Sequence, residues 1–203
     1  MKRLAFLLCM AAFWCGCSFT PKWKEQTFAF ATPAIPPASE PQTNVIALSG
    51  VLISPVFQSR SFIYRVADDA YEQDPYACFL ISPERALAES IQAYMRSSGV
   101  YGHVEASSGR LSPDLVAEVS IEHLYGDFRN PAQPVGALEL HFLIYQMTNG
   151  MPGRIVLDKM CARTTPLARK SPAALMAAWD TDLREIMEEI NSDYAKAHPP
   201  GRG

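Results

Sequence analysis

Apolar residues recur along this chain in two rhythms. In the first, every second position is apolar. Leu115, Ala117, Val119 and Ile121 alternate with Val116, Glu118, Ser120 and Glu122, and Leu138, Leu140, Phe142 and Ile144 alternate with Glu139, His141, Leu143 and Tyr145. A period of two puts one set on each face of an extended chain, so both stretches read as half-buried strands. Shorter apolar runs predict further strands. Val45 to Ile53 is interrupted at Ser49-Gly50 and stopped at Ser54-Pro55; Ser61 to Val66, Tyr76 to Ile81, His103 to Ala106 and Ile155 to Ala162 follow. Thr27 to Phe30 predicts a short strand with two aromatics on one face. Asn149-Gly150, with Pro152-Gly153, marks a tight turn and therefore a hairpin.

The second rhythm is helical. Ser82-Pro83-Glu84 is a start signal: a capping hydroxyl, a ring suited to the first helical position, and a negative charge at the positive end of the dipole. Leu87, Ile91, Tyr94 and Met95 then fall on one face, and Gly99 supplies a C-terminal stop. Ser171-Pro172 repeats the start signal. Leu175, Trp179, Leu183, Ile186, Met187, Ile190 and Tyr194 form its apolar stripe. Ala67 to Pro75 and Gly126 to Gly136 read as turn and loop. The expected fold class is α+β: a two-layer domain over residues 45–197, with a mostly antiparallel sheet packed against two amphipathic helices. No internal repeat or second domain is visible.

The first residues follow neither rhythm. Lys2 and Arg3 precede an apolar run from Leu4 to Trp14, too short for a spanning helix of about 20 residues. Its length fits the core of an export signal. Gly16-Cys17 follows, and the pattern resembles the bacterial lipoprotein signal, in which a small residue precedes the cysteine that receives lipid. Residues 1–16 are then a signal peptide and Cys17 the lipidation site; Cys15 is the poorer candidate because bulky Trp14 precedes it. Acyl chains such as palmitate add about 0.8 kcal/mol of membrane affinity per buried CH₂. Where such lipoproteins carry Asp for retention at the inner membrane, this chain has Ser18, which implies the outer membrane. The alternative is an ordinary secretory signal without lipid. Residues 17–44, with Pro33, Pro36, Pro37 and Pro41, read as a Pro-rich tether, and residues 198–203 as a disordered tail.

Composition narrows the functions. The chain of 203 residues is 48% hydrophobic and 19% charged with net charge −3, which fits one globular domain and argues against a nucleic-acid binder. Of the four histidines, His103, His123, His141 and His198, none has a metal-ligand spacing. His123 and His141 could be neighbours on adjacent strands near Glu118, Glu122 and Glu139; the simpler reading is a solvated strand face, and no metal or other cofactor is expected. No nucleophile elbow and no phosphate loop occurs; Ser107-Ser108-Gly109-Arg110 is a turn. The pairs Asp68-Asp69 and Glu188-Glu189 read as surface charge, so no catalytic residue is expected. Once Cys9 and Cys15 leave with the signal and Cys17 carries lipid, Cys78 and Cys161 remain. They are either a disulfide pair or two buried free thiols.

The order of motifs carries a resemblance. The lipobox cysteine and Pro-rich stretch lead to Gly50-Val-Leu-Ile-Ser-Pro55 and Phe62-Ile63-Tyr64-Arg65. Tyr76 to Phe79 then leads into Pro83 and an amphipathic helix ending in Ser-Gly, with Leu115 to Phe128 and Ala137 to Tyr145 after it. Over about residues 28 to 194 this resembles the ABC-type transport auxiliary lipoprotein family, which includes the outer-membrane lipoprotein of the paraquat-inducible, MCE-associated intermembrane transport system. The resemblance implies a non-catalytic outer-membrane lipoprotein that faces the periplasm. Its partners would be an MCE-domain substrate-binding protein and an ABC permease and ATPase that move lipids or other apolar compounds, and it could form a homo-oligomer. Two other classes stand beside it: a structural assembly lipoprotein of outer-membrane biogenesis without a transporter, and a periplasmic hydrolase.

Overall fold

A computed structural model describes residues 24–33, 44–106 and 111–197. The expected signal peptide, Cys17, the Pro36 to Pro41 part of the tether, the Ser107 to Arg110 turn, His198 and the C-terminal tail lie outside the described residues.

Among the described residues eight strands and two helices follow in the order β1 (Gln26–Phe28), β2 (Val45–Ile53), β3 (Ser61–Arg65), β4 (Tyr71–Phe79), α1 (Pro83–Ser98), β5 (His103–Ala106), β6 (Leu115–Asp127), β7 (Val135–Thr148), β8 (Met151–Pro166) and α2 (Pro172–Ala197). A 3-10 turn, Pro55–Phe57, follows β2. No described helix is long and apolar enough to cross a membrane.

The local signals explain most boundaries. Gly99 stops α1 at φ 68°, a conformation open to glycine. Ser171 caps α2: its hydroxyl accepts from the Ala174 amide at 3.3 Å. Ser82 does not act in the same way. Its carbonyl accepts from the Ala86 amide at 3.0 Å, while its buried hydroxyl has no partner. Asn149 (φ 53°) and Gly150 (φ 75°) make the two-residue turn between β7 and β8. Ser49-Gly50 does not split β2; the register shifts between Leu48 and Gly50, and pairing continues to Ile53. β4 starts at Tyr71, inside the acidic stretch expected to turn, because Arg65, Tyr64 and Ile63 pair with Tyr71, Glu72 and Gln73.

The eight strands form one open, mixed sheet. β3–β4, β6–β7 and β7–β8 are antiparallel, and the last two are the longest ladders. The pairs β1–β4, β2–β5, β2–β6 and β3–β6 are parallel, so the sheet is mixed, although more of its paired residues lie in the antiparallel ladders. Periodicity cannot reveal this, since it gives which face is buried and not the direction of the neighbour. The sheet forks at β6. On one side β7 runs along its whole length. On the other, β2 takes the stretch from Leu115 to Ile121, and β3 takes Gly126 and Asp127.

The core lies where the helices meet the sheet. α1 packs on β2 and β5, α2 packs on β7 and β8, and the helices touch each other. Leu87, Ile91 and Met95 of α1 and Trp179, Leu183, Ile186 and Ile190 of α2 are buried against Ile46, Ile121, Leu140 and Phe142. Apolar burial of this kind contributes about 25 cal/mol per Å².

β1 belongs to this body. Phe28 lies 5.1 Å from the Phe62 ring and Phe30 stacks on Phe79 at 5.8 Å. The Phe28 carbonyl accepts from the Leu80 amide at 2.7 Å, and the Ala31 amide donates to Asp180 of α2 at 2.8 Å. The Cys78 thiol donates to Glu25 at 2.9 Å.

Candidate functional site

The sheet presents two unlike faces. On one, Ile53, Ile121, Leu140 and Cys161 form a cross-strand row, and all four are buried. One residue back, Leu52, Ser120, His141 and Met160 form the next row. A step of one residue reverses the face. Leu52 is 72% exposed and Met160 51%, and Ile155, in the row of Tyr145, is 56% exposed. Three large apolar side chains thus stand in solvent on β2 and β8, the strands either side of β6 and β7.

Polar groups fill the space between them. His141 pairs with Asp158 at 2.6 Å and His123 with Glu139 at 2.7 Å. The Tyr145 hydroxyl donates to Glu118 at 2.8 Å. The expected neighbours His123 and His141 do sit on adjacent strands, with His123 opposite Glu139 and His141 opposite Ser120. Each ring has its own carboxylate, so they do not converge. Among the described residues no cluster of three or more His, Cys, Asp or Glu could hold a metal ion. His103 pairs with Glu105 on β5.

At the end of the sheet where β3 and β6 finish, two clefts lie side by side. One, of about 360 Å³, is lined by Tyr64, Asp74, Phe128 and Lys170. Tyr64 and Phe128 stack at 4.6 Å, and the Lys170 ammonium lies 4.7 Å from the Phe128 ring centre. The Tyr64 hydroxyl donates to Asp74 at 2.5 Å, and Asp74 also accepts from the amides of Tyr76 and Ala77. Burial first, and then the Asp74 carboxylate, push the Tyr64 hydroxyl well above its ordinary range. Asp74 is thereby used up in fixing the bend of β4. The second cleft, of about 370 Å³, holds Arg129 between Asp127 at 2.7 Å and Asp68 at 2.5 Å. The Arg129 hydrogen bond holds the Asp127 carboxyl below its usual range. Three of the four carboxylates in the acidic pairs of the sequence are likewise paired. Asp68 meets Arg129, Glu188 meets Arg184, and Glu189 meets Lys159 and Arg163.

That last group was not legible in sequence. Lys159 and Arg163 point from β8 toward α2, where Glu185, Glu189 and Asp193 stand one turn apart. Eight helical residues rise about 12 Å and four strand residues about 13 Å, so the two basic groups fall between the three acidic ones. The spacing of four in each segment was the available signal. Lys159 is the first cause, and Arg163 the second, of a lowered Glu189 carboxyl.

Cys78 and Cys161 are buried free thiols. Their strands, β4 and β8, have β3, β6 and β7 between them. At about 4.8 Å per strand that is roughly 19 Å, against the 7 Å limit for Cα atoms of a disulfide. Burial raises both thiols, and beside Cys78 the Glu25 carboxylate adds to it.

No family model matches the chain, and no curated protein matches it. Solved structures do. A Xanthomonas campestris protein of the DUF330 family superposes with a TM-score of 0.67 at 16% identity, over 84% of this chain and 94% of that one. An uncharacterised protein superposes with a TM-score of 0.61 at 11% identity, over 83% of this chain and 99% of that one. A lipoprotein of Neisseria meningitidis, GNA1162, gives a TM-score of 0.40 at 9% identity, over 71% and 99%. The first two share the fold of this chain.

Proposed function

We propose that this protein is a non-catalytic lipoprotein of the outer membrane that docks the periplasmic part of an ABC/MCE-type transport system moving lipids or apolar compounds. In this reading the helices form one layer and the sheet the other, and the open sheet face receives the partner. One observation carries it: Leu52, Ile155 and Met160 stand exposed on one face of a rigid sheet, with paired histidines and carboxylates around them. Apolar side chains ringed by satisfied polar groups are the make-up of a protein-docking surface. The Gly16-Cys17 pattern after an apolar leader supports the lipid anchor, and the motif order supports the transporter assignment. The arrangement of the polar residues on that face, with Glu118, Glu139 and Asp158 each engaged with a partner, supports a binding role over a hydrolytic one.

The test is crosslinking in the envelope with Leu52→Asp and Met160→Asp as controls. An MCE protein or ABC permease is expected to crosslink to the wild type and to be lost from both variants, while each variant keeps its urea midpoint. Recovery of an outer-membrane barrel alone, or crosslinking unaffected by both substitutions, overturns the assignment.

A further inference from the structure

The chain leaves its anchor and enters the fold much sooner than the proline content suggests. From Cys17 to Asn44 an extended chain could reach about 90 Å. β1 intervenes. Glu25 binds Cys78, the Phe28 carbonyl binds the Leu80 amide, Phe30 is 8% exposed against Phe79, and the Ala31 amide binds Asp180. Residues 25–31 are therefore part of the body, fixed to both β4 and α2. Only the seven residues Ser18 to Lys24 separate Cys17 from that fixed point, a reach of at most about 25 Å. The prolines 36, 37 and 41 fall beyond it, in a connection whose two ends, β1 and β2, are both held by the same sheet.

Position in the sheet adds an orientation. β1 is the outermost strand on one edge, and β8 is the outermost on the opposite side of β6. Five strand spacings separate them, about 24 Å. We propose that the lipid bilayer is the near neighbour of the β1 edge, with residues 18–24 as the whole tether, and that the sixteen-residue edge strand β8 is the distal edge turned toward the periplasm. This rests on the lipid anchor at Cys17. It makes the body a short-armed platform, able to meet only a partner that itself comes close to the membrane.

The experiment uses the full acylated chain on phosphatidylethanolamine–phosphatidylglycerol vesicles that carry an acceptor lipid. A donor dye is placed by Leu80→Cys, beside β1, or by Ile155→Cys, on β8; both positions are more than half exposed, and the native Cys78 and Cys161 are buried. Transfer is expected to be higher from position 80 than from 155. A Gly-Ser insert of about ten residues after Phe19 adds up to roughly 33 Å of reach and is expected to remove most of the transfer. The same insert after Pro37 is expected to leave it unchanged. Equal loss from both inserts, or higher transfer from position 155, overturns the short tether and the orientation while leaving the anchor standing. Absence of vesicle binding by the acylated chain overturns the anchor reading itself, and this inference with it.

Discussion

The Trp179 indole nitrogen donates to the backbone carbonyls of Tyr125 and Ala137, at 3.3 and 3.2 Å. One helix side chain thus ties α2 to β6 and β7 together, at the point where Tyr125 and Ala137 pair. The ring is fully buried and packs against Phe62 and Phe79 at 4.9 and 5.6 Å. Trp179→Phe keeps the stacking and removes the donor, and is expected to cost about 1–3 kcal/mol. Trp179→Ala is expected to cost about 3–5 kcal/mol. Urea unfolding of the two variants checks both values; a Trp179→Phe midpoint equal to that of the wild type would mean that the nitrogen contributes nothing.

Gly136 is the other half of that junction. A Cβ there would lie 2.8 Å from the Ala178 Cβ and 3.3 Å from the Leu175 Cδ1. Neither neighbour is the free end of a long flexible chain, so α2 would have to move off β7. Gly136→Ala is expected to lower stability by about 1–3 kcal/mol, and Gly136→Val by more. Gly50 has nothing within 4 Å of its Cβ position, so Gly50→Ala in the same assay is expected to stay within about 0.5 kcal/mol of wild type.

Asp182 gives the fold a pH dependence. It is fully buried on α2, accepts from the Thr165 hydroxyl at 2.6 Å, and has no partner for its second oxygen. Burial pushes its carboxyl up to about 6, with Thr165 and nearby Arg163 lowering it and Glu185 raising it. A folded-state value above the unfolded one means that the folded state binds the extra proton. The stabilisation is complete below about 4 and lost as pH rises through about 6. Asp182→Asn keeps the acceptor for Thr165 and removes the titration. It is expected to be more stable than wild type at pH 8, by about 3 kcal/mol, and near equal at pH 4. A stability difference that stays flat across that range would refute the assignment.

The thiols make a simple check. Cys78 and Cys161 are each buried on strands with three others between them. A thiol reagent is expected to find neither in the folded, unreduced protein and both after denaturation without reductant. Two thiols missing after denaturation would show a disulfide.

Local chemistry made much of this fold readable. Ser171-Pro172, Gly99 and Asn149-Gly150 place their helix and turn ends because each acts on its own backbone. The alternation in β6 and β7 correctly separates Ile121 and Leu140 from Ser120 and His141. What escaped depends on neighbours distant in sequence. Tyr71 to Asp74 is polar enough to read as a turn and is held extended by β3. Ser82 starts a helix without capping it. The exposed Leu52 is indistinguishable in a run of apolar residues from buried Ile53 until β6 fixes the register. The candidate histidines were placed correctly on adjacent strands, but which carboxylate each would meet depends on the shift between Ile121 and His123.

The fork at β6 also sets how the body would bear load. Among the described residues the branch of β1, β4 and β3 meets the rest of the sheet through two ladder pairs, Tyr64 with Gly126 and Arg65 with Asp127, and the Phe128 amide donating to the Arg65 carbonyl. The branch of β2 is joined along seven. A pull on the N-terminus enters through β1 and arrives at the short seam, which is backed by the rings of Phe62, Phe79 and Trp179, the Tyr64–Phe128 stack and the Ala31–Asp180 bond. Peeling would start there, leaving β2, β6, β7 and β8 and whatever they hold undisturbed.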